Sequence, residues 1–469
     1  MRQKTNSIFP ELFSLETETP KDEKANKNVQ HHRDCYKRLD AHLAKYPEIE
    51  QRAHECLQGL CKSDTTRNRT PDFTTQNLFR AVLVMRMENL SLRDTEIEIA
   101  ERPTLQRFCR LDKKETISFQ LIDQAFLALT PEAWQDINGF YAIRMVAEEK
   151  IDPDYVRSDG TVVETNIHWP TDSRLCYDCY RTVARIVENA RNAGLGGLLK
   201  PFRFHVKKIK KLDFRISQNA SCKSKDRKRR YKNDYDTIIS RTEEAVKKAG
   251  DITRILTASG SEAALAFAVE LAGYLGVMVK IVVVARRRFH GEKVPNEEKI
   301  FSLFEPHTEL IQKGKKNKPI ELGHLIFLTQ TREKFITDCI LSERSPSETT
   351  LLPEVMERHE EQFGRKPLGV AMDKGCHPGM EEMEHLKYEY GEEVEYIGIP
   401  SRINDFGDEE MGLYQRFRAG IEGSISFLKR CFGLTRVFFK GFRGFCQGVG
   451  SAVFCHNLLT MVRRELASE

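Results

Sequence analysis

The stretch VRSDGTVVETNIHWPTDS, residues 156–173, is rich in Val, Thr and Ile, which favour β-strands. A carboxylate, Asp159, stands just before its apolar run, and a charge there is costly unless a partner compensates it. Two interpretations stay open at this point: an edge strand with a solvated Asp159, or a strand whose Asp159 is a ligand for a cation. With a period of two, one face of the strand carries Arg157, Asp159, Thr161, Val163, Thr165 and Ile167.

The bulk composition indicates a soluble globular protein with two or three domains. The chain has 469 residues, of which 40% are hydrophobic and 30% charged, and its net charge is +5. Twelve Cys are scattered without a disulfide framework, and Cys176 and Cys179 form the one close CxxC pair. This usage is typical of reduced Cys in a cytosolic protein and does not predict a zinc site. The first residues lack the apolar core of a signal peptide.

Basic residues cluster in three runs, at 200–215, 223–232 and 313–318. Such runs are most often solvated faces, but three of them in one region favour a partner with a phosphate backbone. We therefore expect DNA contacts from the second run, through Lys225, Arg227, Lys228, Arg229 and Arg230.

The most apolar window, residues 263–285, contains Glu270, Lys280 and two Gly. These residues argue against a bilayer span. The window is predicted to be a buried helix followed by a strand or a second helix.

Three regions follow one another along the chain. Residues 1–65 are polar with one helical segment, and residues 66–150 have the apolar spacing of several short helices. Such a helical module suits a DNA-binding domain of the helix-turn-helix kind, and it equally suits a dimerisation bundle. From 151 onwards strands alternate with helices, which predicts a mixed α/β domain at 151–469. A mostly helical, basic stretch interrupts it at about 172–320.

A second carboxylate, Asp373, ends the apolar strand predicted at 367–375. Ligands of α/β sheets gather at the carboxyl ends of strands, whereas an Asp in a turn is also common without any ligand. Asp373 alone does not decide between these two interpretations.

The third carboxylate, Glu422, lies on a long helix predicted at about 409–431. Tyr414, Arg418 and Lys429 fall on the same stripe of this helix. Arg418 and Glu422 would also form an ordinary i,i+4 ion pair. Gly420 and Gly423 flank Glu422 and weaken the helix, and we expect these small residues to let a ligand or DNA backbone approach.

Three carboxylates converging from two strands and a helix suit two Mg²⁺ ions, or Mn²⁺, because both metals prefer hard oxygen ligands. Two such ions activate the attacking oxygen and stabilise the leaving oxygen of a phosphodiester. The cations would also offset the burial of Asp159.

Several motifs resemble those of DDE insertion-sequence transposases, in particular the group labelled ISNCY. The motifs are SDGTVVETNIHWPTDS, FSLFEPHTELIQKGK with the following IELGH, VAMDKGCHPGMEE, and RFRAGIEGSISFLKRCFGLTRVFFKGFRGF with VFCHNLLTMVRR. The segment TTQNLFRAVLVMRMENLSLRDTEIEIAERPTLQRFCRL resembles the N-terminal helical domain of the family. The resemblance extends from about residue 66 to 465.

The resemblance implies an RNase H-like catalytic domain with a helical insertion at about 172–320, preceded by an all-α N-terminal domain. Asp159, Asp373 and Glu422 would be the catalytic residues and the metal ligands. Two departures stand out: the Tyr position of the family's Tyr-Arg-Glu-Lys signature holds Gln415, beside Tyr414, and Gly160 follows the first Asp in place of a small hydroxyl residue. Arg418, Lys429 and Lys374 would contact DNA, as would the basic run of the insertion.

The implied activity is cleavage at terminal inverted repeats, followed by joining of the freed 3′ hydroxyl to target DNA. The partners would be double-stranded DNA and at least a second copy of the chain, in a prokaryotic cytoplasm. Three alternatives remain: an RNase H-like nuclease without strand transfer, a non-catalytic DNA-binding relic, and a protein in which the carboxylates are only turn and surface residues.

Overall fold

The computed structural model describes residues 26–60, 73–112, 115–312, 319–400 and 408–468. Its fold is mixed α/β, as predicted: helices predominate and accompany one mixed sheet of seven strands. The basic run at 313–318 lies outside the described residues.

Contacts divide the chain into two compact units. The first combines Met1–Glu164 with His324–Glu469, and the second is Thr165–Gly323. The second unit therefore falls between the first two long strands, in the region where the sequence predicts an insertion at about 172–320.

Many helices begin at a side chain that accepts a backbone N–H, as in the Thr74 capping box at the start of Thr75–Met87. The helices are α1 (Lys27–Lys45), α2 (Pro47–Leu57), α3 (Thr75–Met87), α4 (Leu92–Glu101), α5 (Pro103–Phe108), α6 (Phe119–Ala128), α7 (Pro131–Ala147), α8 (Asp172–Ala190), α9 (Gly196–Leu199), α10 (Val206–Asn219), α11 (Lys225–Ala258), α12 (Glu262–Phe289), α13 (Leu351–Phe363), α14 (Met380–Tyr390), α15 (Asp408–Cys431) and α16 (Gly441–Ser468).

The strands are β1 (Tyr155–Thr165), β2 (Glu309–Gln312), β3 (Ile320–Thr331), β4 (Ile336–Ile340), β5 (Gly369–Ala371), β6 (Tyr396–Gly398) and β7 (Arg436–Val437). In the first unit β1 pairs with β5 in parallel, β5 pairs with β6 in parallel, and β3 pairs with β4 antiparallel. Strand β1 lies between β3 and β5 in the sheet, and β7 also pairs with β1. Strands β1 and β3 are antiparallel: the Ser158 hydroxyl hydrogen-bonds that of Thr329, and two residues further along β1 Gly160 lies against Phe327. The sheet therefore contains both strand directions around β1.

Strand β1 is buried on both faces, which explains why its sequence lacks a clean alternation of polar and apolar residues. One cluster joins Val163 and Ile326 to the N-terminal helices and to α16. A second cluster joins Val156 and Val370 to α13 and α14. The sheet of the first unit is thus covered by apolar residues on two sides.

Buried polar groups fix α16 within the first unit. Arg86 of α3 donates to the carbonyls of Phe432 and Gly448, and Asn457 donates to Asn138 and to the carbonyl of Ile336. Leaving such groups without partners would cost stability, so these bonds specify how the helices pack. The helical module that the sequence places at 66–150 therefore shares its core with the C-terminal helix.

In the second unit α8, α10, α11 and α12 pack around one apolar cluster. The prediction of two elements in the window 263–285 was wrong, because α12 runs through it as one helix and accommodates Gly273 and Gly276. The helix is also not wholly buried: several of its large apolar side chains are exposed. The Cys176 and Cys179 thiols are buried in this cluster, and burial raises the pKa of both.

Candidate active site

The first two carboxylates come from neighbouring parallel strands. The β1–β5 register pairs Arg157 with Ala371, and Asp159 and Asp373 each follow two residues later. Paired strands lie about 4.8 Å apart, so the register brings Asp159 and Asp373 to the same end of the sheet. The structure therefore brings together the two Asp that the sequence singled out.

Asp159 is held by two hydrogen bonds. Its Oδ1 accepts from the backbone N–H of Gly160 at 2.8 Å, and its Oδ2 accepts from Arg418 at 2.9 Å. The Asp159 side chain is 19% exposed and that of Arg418 is 16% exposed. The Arg418 guanidinium therefore compensates the charge of this largely buried carboxylate.

Glu422 lies one helical turn after Arg418 on α15, and its carboxylate is 3.5 Å from the same guanidinium. Arg418 therefore bridges Asp159 of β1 and Glu422 of α15. The expected i,i+4 pair is present, but its Glu422 side chain is 64% exposed and open to solvent. An exposed pair of this kind contributes little to stability.

Asp159 lies close enough to both Asp373 and Glu422 for their charges to act on its pKa. Burial raises the pKa of Asp159, and the Arg418 charge and the Gly160 hydrogen bond oppose that effect. The negative charges of Asp373 and Glu422 raise it further. The site holds more negative charge than one guanidinium neutralises, which favours the binding of a cation.

A fourth carboxylate, which the sequence reasoning missed, lies beside Asp373. Glu348 places a carboxylate oxygen against Gly375, in the turn after β5. Burial, and after it the negative charges of Glu348 and Asp373, raise the pKa of the Cys376 thiol to about 12. Glu348 sits in a stretch that looks like an ordinary helix start, so no local signal in the sequence marks it.

Gln415 attaches α15 to the sheet end that carries the carboxylates. Its amide donates to the carbonyls of Met372 and Gly398, at 3.2 and 3.1 Å. These carbonyls follow β5 and end β6, so the bonds fix the helix against both strands. Tyr414 packs instead on Gly398 and on the ring of Tyr396. Gln415 therefore positions α15 against the sheet.

The expectation for Gly420 was wrong. A methyl group there would overlap the guanidinium of Arg157, so it is a protein side chain that approaches this glycine. Arg157 is buried, donates to Gln330 and to the carbonyl of Phe417, and ties α15 to β1 and β3. Gly423, by contrast, has open space around it, which leaves room for a ligand.

The remaining predicted DNA contacts fall in two places. Lys374 is exposed directly after Asp373, and Lys429 is half-buried two turns beyond Glu422. His377, also near Asp373, accepts a hydrogen bond from the backbone N–H of Gly379. The predicted DNA contacts of the second unit lie in the first two turns of α11 and are all exposed: Lys225, Arg227, Lys228, Arg229 and Arg230.

Within the described residues no group of three His, Cys, Asp or Glu side chains is already arranged around a metal position. The donor set nevertheless suits Mg²⁺ or Mn²⁺, since Asp159, Asp373 and Glu422 supply carboxylate oxygens around a site with excess negative charge. Arg418 provides the counter-charge in this arrangement.

Comparisons with known proteins add no assignment. No family model matches the chain, and no significant match was found among curated proteins or among solved structures.

Proposed function

We propose that the chain is a DDE transposase with an RNase H-like catalytic domain. The observation that carries the proposal is the convergence of Asp159, Asp373 and Glu422 at one end of a mixed sheet, from β1, from the end of β5 and from α15. This is the arrangement expected from the resemblance to the insertion-sequence family. The exposed basic turns of α11 support a nucleic-acid partner.

The proposed reaction has two phosphoryl-transfer steps. Water attacks the phosphorus at each terminal inverted repeat, the P–O bond to the element's 3′ oxygen breaks, and a 3′ hydroxyl is freed. That hydroxyl then attacks a phosphodiester of the target DNA, forms a new P–O bond and releases a target 3′ hydroxyl. Two Mg²⁺ or Mn²⁺ ions, when bound, supply activation of the attacking oxygen and stabilisation of the leaving oxygen.

The residues of the chain have separate roles in this proposal. Asp159, Asp373 and Glu422 hold the metal ions. Arg418 neutralises charge around Asp159 and Glu422, and together with Lys374 and Lys429 it contacts DNA phosphates. Gln415 and Arg157 keep α15 against the strands, so that Glu422 stays near the two Asp. Two element ends are processed together, which calls for at least two copies of the chain.

A cleavage and joining assay tests the proposal. The protein is incubated with labelled DNA that carries the flanks of its own gene, in Mg²⁺, in Mn²⁺ or in EDTA. The test variant is Glu422→Gln, and Glu409→Gln is its matched control, an exposed acid on the same helix. We expect metal-dependent nicks at the repeat ends and joined products, lost in Glu422→Gln and kept in Glu409→Gln.

Each alternative gives a different result in this assay. Nicks without joined products would indicate an RNase H-like nuclease. Specific binding without cutting in either metal would indicate a DNA-binding relic. Equal activity of Glu422→Gln and the wild type would show that the carboxylate takes no part in the chemistry.

A further inference from the structure

Helix α12 has two apolar faces, and the second unit uses only one of them. Leu271, Met278 and Ile281 lie in the core that α12 shares with α8 and α11. The other face is exposed, with 50% of Leu265, 64% of Val269, 48% of Val279 and 49% of Val283 accessible. We call this face the outer stripe, and its members are Leu265, Val269, Ala272, Gly276, Val279 and Val283.

The spacing of the outer stripe is that of a coiled-coil seam. Its members follow one another at intervals of four and three residues in strict alternation, from Leu265 to Val283. This heptad spacing aligns a narrow seam along one helix, whereas a helix that packs into a broad core shows a wider apolar face. The stripe therefore fits one further helix.

The stripe is complementary to itself when reversed. An antiparallel copy centred at Tyr274 would place Leu265 on Val283, Val269 on Val279 and Ala272 on Gly276 of the second copy. Large residues then meet at both ends of the seam, and small residues meet at its centre. Small residues at a crossing let two helices approach closely.

Apolar register, and not charge, sets this orientation. Within one copy Glu270 pairs with Arg185, and Arg287 pairs with Glu292 and Glu298, so these side chains are already neutralised. The self-complementary spacing of the outer stripe therefore selects the antiparallel arrangement.

We propose that a second copy of this chain docks on the outer stripe, with the two α12 helices antiparallel. The stripe is about 27 Å long. One helix of this length gives less than the roughly 800 Å² per partner of a standard interface. We therefore expect a weak self-association in solution, which becomes stronger when DNA holds two copies together. This pairing does not depend on the chemistry of the carboxylates.

A lipid bilayer is the competing occupant. By length and composition alone, α12 and α16 both pass as membrane spans, and α16 is almost wholly buried within the described structure. For α12 the core face is already packed against protein and the outer stripe is only one seam wide, which favours a helix over acyl chains.

Cross-linking tests the register of the pair. In the double variant Val269→Cys with Val279→Cys, the antiparallel pairing sets each Cys opposite its counterpart. In either single variant the two identical Cys lie about 15 Å apart along the axis. A short bis-maleimide linker should join copies of the double variant far more than either single variant or the wild-type chain. Equal cross-linking of all four proteins would overturn the proposed register.

Light scattering after size-exclusion chromatography tests the interface itself. The variant is Val269→Lys, and the control is Phe214→Lys, at another exposed apolar position of the second unit. Lys favours helix more than Val does, so the first change leaves α12 stable, which circular dichroism checks. We expect a concentration-dependent dimer that Val269→Lys reduces at least tenfold in affinity and Phe214→Lys does not change.

Three results would refute the proposal. The first is a dimer that survives in Val269→Lys, and the second is a wild-type chain that stays monomeric at every concentration with and without DNA. The third is binding to phosphatidylcholine–phosphatidylglycerol vesicles that Val269→Lys abolishes, which would assign the outer stripe to a membrane surface. Nicking by the carboxylate site is measured separately with Glu422→Gln, so loss of the interface and loss of the chemistry are distinguishable.

Discussion

Gly420 and Gly423 lie three residues apart on α15, but their surroundings are opposite. A methyl group at Gly420 meets Arg157, whereas a methyl group at Gly423 meets open space. We expect Gly420→Ala to lower the free energy of unfolding by about 1–3 kcal/mol, because the buried guanidinium must shift. Gly423→Ala should raise it by up to about 1 kcal/mol through helix propensity. Urea unfolding of the two variants checks this, and equal effects would refute the tight fit at Gly420.

The raised pKa of Asp159 makes the stability of the folded chain depend on pH. Burial raises its pKa, so the folded protein disfavours the ionised form. That penalty is complete above the folded pKa and disappears as pH falls below the usual Asp value near 4. Asp159→Asn should therefore melt no lower than the wild type at pH 7, with a difference that shrinks towards about pH 4. A marked loss of stability at pH 7 would instead make Asp159 a structural partner of Arg418.

Several decisive contacts have no signature in the sequence. The i,i+4 spacing indicates that Arg418 meets Glu422, but its bond to Asp159 joins residues 259 positions apart and appears only once β1 and α15 are packed. Gln415 looks like a departure from a family signature, and only its bonds to Met372 and Gly398 show what it does. The types of residue were predictable, and their partners were not.

Among the buried polar residues of α16, His456 gives a second dependence on pH. Burial lowers its pKa to about 4, although the hydrogen bond that His456 donates to the amide oxygen of Asn457 opposes this shift. The His456 side chain binds a proton near pH 6.5 in the unfolded chain but only near pH 4 in the folded chain. The free energy of unfolding therefore falls as pH drops from about 6.5 to about 4. This one group accounts for up to roughly 3 kcal/mol of that loss.

The comparison of His456→Gln with His385→Gln isolates this effect, since the His385 side chain is 72% exposed. Urea unfolding at pH 7, 6 and 5 should show a flatter decline for His456→Gln than for the wild type. His385→Gln should follow the wild type. Parallel curves for all three proteins would show that His456 titrates normally in the folded chain.

The elements around the site were predictable because their patterns are local. The strand-like stretch at 156–173 contains most of β1, the strand predicted at 367–375 contains β5, and the helix expected at about 409–431 is α15 within a residue. The window 263–285 failed, because its composition cannot distinguish a helix that contains glycines from a helix followed by a second element. There the tertiary packing on α8 and α11 decides the outcome.

The helical module before residue 150 illustrates what whole-chain packing adds. Its helices and α16 form one cluster, and Arg80 is buried between Asp40 and Glu50. The sequence of this module is compatible with a DNA-binding domain or a dimerisation bundle. Its local pattern does not reveal that the C-terminal helix α16 completes its core. Contact with the terminal repeats stays a prediction for this module.

The basic turns of α11 predict a salt-dependent DNA affinity. Replacement of Lys225, Arg227, Lys228, Arg229 and Arg230 by Gln should lower the slope of log affinity against log salt concentration by about 0.9 for each lost phosphate contact. The control replaces Arg241, Lys247 and Arg254 by Gln, exposed residues further along the same helix. Fluorescence anisotropy with duplex DNA at several salt concentrations measures the slopes. An unchanged slope in the first variant would remove α11 from the DNA interface.

The most direct test of the carboxylate site is the number of Mn²⁺ ions that the chain binds, measured by electron paramagnetic resonance of free Mn²⁺ in a titration with DNA present. We expect two ions per chain for the wild type and for Glu409→Gln, and weakened binding of both ions in Asp159→Asn. Glu422→Gln should lose at least one of the two ions. Equal Mn²⁺ binding by all four proteins would contradict a metal site at Asp159, Asp373 and Glu422.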